Sequence, residues 1–122
     1  GLFANPVTLN DGVGDRIFAY RSQVFDKKSI VAEYVESAAA ISAESVLRVK
    51  HDPSSVAPRH LLQRQIKRYP AATPTVLGMI TVNLTIVADR AFTDTEVATE
   101  VAILSDALGE ANVVKSLMLN VI

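Results

Sequence analysis

TVNLTIVADRAFTDTEVATEVAILSDALG, residues 81–109, decides the fold, because its hydrophobic period changes from two to about 3.6 within one passage. Val82, Leu84 and Ile86 alternate with Thr81, Asn83 and Thr85, which gives a strand one apolar and one polar face. Beyond Asp89 the apolar residues Val97, Val101, Leu104 and Leu108 recur at helical spacing. Thr93, with Glu96 three positions on, has the form of a capping box, in which each side chain satisfies an orphan backbone N–H. Gly109 stands where a left-handed C-cap would stop the helix. A strand therefore feeds a helix predicted over 93–108, and a second, short helix is expected over 112–119.

Upstream the chain reads mostly as strand. Residues 6–9 and 16–20 flank the turn-forming run Asn10-Asp11-Gly12-Val13-Gly14-Asp15 and predict an N-terminal hairpin. Further strands are expected over 30–35, 45–51, 59–68 and 76–88. Leu62 and Ile66 mark the core side of 59–68, with Arg64 sharing their parity against the pattern. The stretch Tyr69, Pro70, Ala71, Ala72, Thr73, Pro74 and Thr75 is a loop, since two prolines so close together do not fit a central ladder. Short connections favour an antiparallel meander, and strands followed by helices define an α+β class in one domain over 1–122. One half-apolar helix covers only part of such a sheet, and a second copy of the chain is the simplest cover for the rest.

Composition points the same way. Hydrophobic residues make up 49% of the 122 and charged residues only 20%, so a partner subunit is expected to hide part of the apolar surface. Cysteine is absent, which excludes disulfides and thiolate metal sites. Residues 1–6 lack the basic and apolar regions of a signal peptide, and no apolar run is long enough to span a bilayer; the expectation is a protein made inside the cell with no membrane partner. The net charge of −1 hides an asymmetry. Between Glu44 and Tyr69 six bases (Arg48, Lys50, Arg59, Arg64, Lys67, Arg68) face two acids, a balance of +4, whereas the part from Asp89 onward carries −4.

No motif organises a catalytic site. Gly12-Val13-Gly14 lacks the third glycine, lysine and following helix of a phosphate loop and reads as a hairpin turn. His51 and His60 are the only imidazoles, and with no cysteine or carboxylate at ligand spacing they are expected to face solvent or RNA rather than a metal. Ser54-Ser55 has no strand-turn-helix elbow to activate a nucleophile. No cofactor or small-molecule substrate is expected. The basic strands carry more information: Arg48 and Lys50 project from one face, and Gln63, Gln65 and Lys67 share a face of the next strand. Such a face can hold phosphates and offer hydrogen bonds to unstacked bases, and it can equally be an ordinary solvated sheet face.

Three passages carry a family resemblance: Val7-Thr8-Leu9-Asn10-Asp11-Gly12-Val13-Gly14-Asp15, Val31-Ala32-Glu33-Tyr34-Val35, and Val82-Asn83-Leu84-Thr85-Ile86 with the helix after Thr93. In this order and spacing the chain resembles, over nearly its whole length, the coat proteins of single-stranded RNA bacteriophages, the levivirus family. The resemblance implies an N-terminal hairpin, a five-stranded antiparallel sheet, and two C-terminal helices packing on the partner subunit of a dimer. It implies dimers that bind a viral RNA hairpin on the sheet face, repress translation, and assemble into an icosahedral shell in the virion after synthesis in the host cytoplasm. Carried over by position, the RNA-facing set is Val31, Arg48, Lys50, Thr81 and Asn83, joined by Gln63, Gln65 and Lys67. The helix residues Val97, Val101, Leu104 and Leu108 would line the dimer interface, and Tyr69 through Thr75 would meet neighbouring dimers at the symmetry axes. Met79 departs from the pattern, standing where some relatives carry an aromatic that stacks on a loop base. The residues alone leave a second reading open, a small dimeric cellular RNA- or ligand-binding α+β domain that does not assemble.

Overall fold

The computed structural model describes residues 2–26, 28–36, 43–53, 56–68 and 78–120. Its elements in chain order are β1 (Val7–Asn10), β2 (Asp15–Asp26), β3 (Ser29–Glu36), β4 (Ala43–Asp52), β5 (Arg59–Arg68), β6 (Gly78–Val87), α1 (Asp94–Gly109) and α2 (Val113–Met118). The strands form one antiparallel sheet in sequence order, β1-β2-β3-β4-β5-β6. The chain divides into two compact units, residues 1–87 holding the sheet and residues 88–122 holding the helices.

The β1–β2 turn is built by its own side chains. Asn10 Oδ1 accepts from the Gly12 N–H at 2.8 Å, and Asp11 Oδ1 accepts from the N–H groups of Val13 and Gly14 at 2.8 and 2.9 Å. Those donors, Gly14 foremost, hold the Asp11 carboxyl below the ordinary carboxylate range. Gly12 takes φ +96°, a conformation that a side chain disfavours.

The sheet has six strands, where a separate hairpin and a five-stranded sheet were expected. The reason lies in β2, which continues for 12 residues instead of ending at Tyr20. Its first residues pair with β1 and the remainder with β3, so the hairpin is continuous with the sheet. Register shifts between Tyr20 and Ser22, where Arg21 is the extra residue of a bulge. The Tyr20 N–H at this bulge donates to Asn5 Oδ1 at 3.0 Å. A bulge reverses the parity of every later side chain, so Phe18 and Tyr20 before it share a face with Gln23 and Phe25 after it.

That face carries the core: Phe18, Tyr34, Leu47 and Val49 are buried, with Phe3, Val7, Ala32 and Leu62 packed against them. The Tyr34 ring meets Phe3 and Tyr20 edge to face at 5.6 and 5.7 Å between centroids. Arg64 belongs to this face as well. Its guanidinium lies 4.7 Å from the Phe18 ring centroid and donates to the Val46 carbonyl at 2.8 Å and to Ser45 Oγ at 2.9 Å.

In the second unit Thr93 caps α1 with the full capping box. The Glu96 N–H donates to Thr93 Oγ1 at 3.2 Å, and the Thr93 N–H donates to Glu96 Oε1 at 3.1 Å. Gly109 is not the left-handed cap expected of it: α1 includes Gly109 and ends at Glu110 in an extended conformation. The left-handed residues among those described in this unit are Asn112, φ 67°, at the start of α2, and Asn120, φ 60°, after its end. Among the described residues no helix is long and apolar enough to cross a membrane.

Candidate nucleic-acid interface

In an antiparallel ladder, directly paired residues point to the same side, so register decides which side chains share a face. Val31 pairs with Lys50 and Glu33 with Arg48 across β3 and β4. Arg48 pairs with Gln63, Val46 with Gln65 and Glu44 with Lys67 across β4 and β5. Gln63 then pairs with Asn83, Gln65 with Thr81 and Lys67 with Met79 across β5 and β6. Val31, Arg48, Lys50, Gln63, Gln65, Lys67, Thr81 and Asn83 therefore all lie on one face, opposite the core. On that face, none of the described residues of β3 to β6 is aromatic, and Met79 is 56% exposed there.

The centre of the face is a hydrogen-bonded row across four strands. Glu33 Oε1 accepts from Arg48 Nε at 3.2 Å, Arg48 Nη1 donates to Gln63 Oε1, and Gln63 Nε2 donates to Asn83 Oδ1 at 2.9 Å. Arg21, at the bulge, pairs with the other Glu33 oxygen. Arg21, and after it Arg48, hold the Glu33 carboxyl below its ordinary range. Outside the row, the Lys50 ammonium lies 3.8 Å from Asp52, and Gln65 Nε2 is 3.5 Å from Thr81 Oγ1. Val46 is on this face too, but it is 1% exposed between its partners Val35 and Gln65.

The +4 block is divided by the sheet. Arg64 and Arg68 fall on the core side, while Arg48, Lys50, Arg59 and Lys67 share the polar face with Glu44, Asp52 and Glu33. Sequence reasoning missed Glu33 and Arg21. Glu33 has the parity of Val31 and could have been placed on the face by alternation alone, but its pairing with Arg48 depends on register. Arg21 is brought to Glu33 by the bulge, which leaves no periodic mark.

His51 and His60 face neither solvent alone nor the polar row. They are half-buried cross-strand partners on the core side, Nδ1 to Nδ1 at 2.8 Å, because their parity follows Val49 and Leu62. An open hollow of about 390 Å³ on that side is lined chiefly by Phe3, Tyr20, Tyr34, Val49 and His51. No group of three or more potential metal ligands occurs among the described residues. Of the expected dimer residues, Val97 and Val101 are half-buried, and Leu104 and Leu108 are 55% and 57% exposed. The loop residues Tyr69 to Thr75, and Ser54-Ser55, lie outside the described residues.

No family model matches the chain, and no curated protein does. Solved structures do match. A chain of the virus-like particle of Beihai levi-like virus 21 superposes with a TM-score of 0.69 over 95% of this chain and 93% of its own, at 19% identity. A chain of the virus-like particle of bacteriophage AVE019 gives a TM-score of 0.66 over 93% of each chain, at 12% identity. This α+β fold, an antiparallel sheet followed by two helices, is shared with subunits of virus-like particles.

Proposed function

We propose that this chain is the coat protein of a single-stranded RNA bacteriophage, a structural protein rather than an enzyme, whose dimers hold viral RNA against the polar sheet face and assemble into an icosahedral shell. The observation that carries this reading is the likeness to two virus-like particle subunits over nearly the full length of each chain. The polar face supports the RNA part: it offers cations for phosphates and a row of amides for bases, as recognition of unpaired RNA requires.

Two features support a dimer. β6 ends the strand order, and a ten-residue edge strand is a template for pairing with another chain. Ile80 and Val82 on its core side are 59% and 61% exposed, and Leu104, Leu108, Leu117 and Met118 of the helices are more than half exposed. This is more apolar surface than a lone subunit keeps in water, and α1 and α2 laid on a partner's sheet would cover both sets. Tyr69 to Thr75 would then meet neighbouring dimers, and binding to one hairpin of the viral message would repress its translation. The protein would be made in the host cytoplasm and reside in the virion.

Electron microscopy of the purified recombinant protein tests the reading. Uniform shells containing RNA are expected. Dispersed dimers without shells would overturn the coat assignment and favour a non-assembling RNA- or ligand-binding domain.

A further inference from the structure

We propose that Glu33 is a built-in counter-ion that competes with RNA phosphate for Arg48, so that the centre of the polar face selects RNA by hydrogen bonding and leaves charge attraction to the cations outside the row. This rests on the RNA-binding reading of the face given above.

The geometry of Arg48 is the starting point. Its Nε and Nη2 each lie 3.2 Å from Glu33 Oε1, and its Nη1 is engaged by Gln63. Both charged side chains are mostly covered, 23% exposed for Arg48 and 21% for Glu33. A guanidinium held on three nitrogens is a poor free cation, since a phosphate must either share it or displace a carboxylate. Displacement strips a half-buried carboxylate of one of its two arginine partners, which costs free energy that a phosphate alone barely recovers.

The row also has a direction. Arg48 can only donate, so the Gln63 amide must turn its oxygen toward Arg48 and its nitrogen toward Asn83. Asn83 accepts through Oδ1, which leaves Nδ2 as an oriented donor at the end of the row. A base with an acceptor on its edge, such as a uracil carbonyl, meets a preset donor there, whereas a bare polyanion finds only a neutralised arginine. Without Glu33, Arg48 is free to follow phosphates, and both amides lose the charge that orients them. Glu33 thus lowers charge-driven binding and raises discrimination.

The test compares poly(U) with inorganic polyphosphate, a charge-only probe of matched length, on the assembly-competent protein and on Glu33→Gln. The unmodified protein is expected to prefer poly(U). Glu33→Gln is expected to bind polyphosphate about fivefold more tightly at moderate salt. Its salt dependence should steepen by about 0.7 in log K per log salt, as one more cation meets the strand, and the preference for poly(U) should shrink. Unchanged polyphosphate affinity and slope would overturn the proposal. A parallel Arg48→Ala/Lys50→Ala variant separates the two readings. If it weakens poly(U) binding while Glu33→Gln changes nothing, the counter-ion role alone is wrong; if it too changes nothing, the face is not the RNA site and both fall. A ¹³C NMR titration of Glu33 in the unmodified protein needs no variant. The charged groups facing this carboxylate are Arg21 from β2 and Arg48 from β4, and Gln63 on β5 adds no charge. A uridine oligomer bound at the Asn83 end of the row leaves Arg48 on Glu33, so the Glu33 midpoint should stay low, and a midpoint that rises as Arg48 leaves for phosphate would overturn the proposal.

Discussion

Arg64 occupies a position whose parity belongs to the core, and its surroundings explain how a charge is tolerated there. The guanidinium stacks on Phe18 and donates to one backbone carbonyl and one hydroxyl, so its planar fork is used in three directions. Burial, reinforced by Arg16 nearby, pushes its pKa down. Arg64→Lys keeps the charge but loses the fork, and should lower stability by about 1–2 kcal/mol, read from the urea midpoint at fixed protein concentration. Glu36, at the end of the same face, accepts from Arg16 Nε and Nη2 at 2.7 and 2.6 Å, and that pairing holds its carboxyl below the ordinary 4.5. A carboxylate with a lowered folded pKa adds stability that is complete above its unfolded value and is lost as pH falls through the folded one. Unfolding of the protein should therefore become easier below pH 4.5, and Glu36→Gln should be less stable at neutral pH but flatter across that acid range. A Glu36→Gln variant as acid-sensitive as the unmodified chain would show that other carboxylates carry the effect. Residue roles of this kind were only half legible. Alternation assigned Arg48, Lys50 and Gln63 to faces, but the partners that neutralise or orient them come from other strands.

At the scale of elements, signals complete within a few residues are legible in the sequence, and those that depend on distant partners are not. The capping box fixed the start of α1 because its chemistry is complete within four residues, Thr93 to Glu96. The sequence signal of β2 stops near Tyr20 because alternation fails at a bulge, although the chain continues in the sheet beyond Arg21. Gly109 marks a left-handed cap in the sequence, yet α1 runs through it to an extended cap at Glu110, since glycine permits the left-handed conformation without requiring it. The proposed dimer yields a prediction for α1. Leu104 is 55% exposed in the single chain, so aspartate there should leave the isolated helix intact. In the dimer the same change buries an unpaired charge in an apolar seam, and Leu104→Asp should abolish soluble dimer in sedimentation. A Leu104→Asp protein that sediments as a normal dimer would place the seam elsewhere.

For the whole molecule, the proposed assembly places the decisive contacts between copies. In that assembly the expected loop from Tyr69 to Thr75 would be restricted by Pro70 and Pro74, and a loop with few conformations would lose little entropy at each repeated contact. Replacing both by glycine should leave dimer stability within about 1 kcal/mol of normal while shells become heterogeneous or fail to form, which electron microscopy and thermal unfolding together would read. Uniform shells from that variant would remove the loop from the assembly mechanism. The amino-acid sequence by itself determined the order of strands and helices, the α+β class and the alternation that puts Arg48 and Lys50 on one face, because periodicity and caps are local properties of the chain. Only the tertiary structure decided that β1 joins a single six-stranded sheet, that Arg21 and Arg48 close on Glu33, and that the two histidines meet on the core side. Those outcomes depend on cross-strand register and on one bulge, and register is set by long-range packing of a whole face against its core.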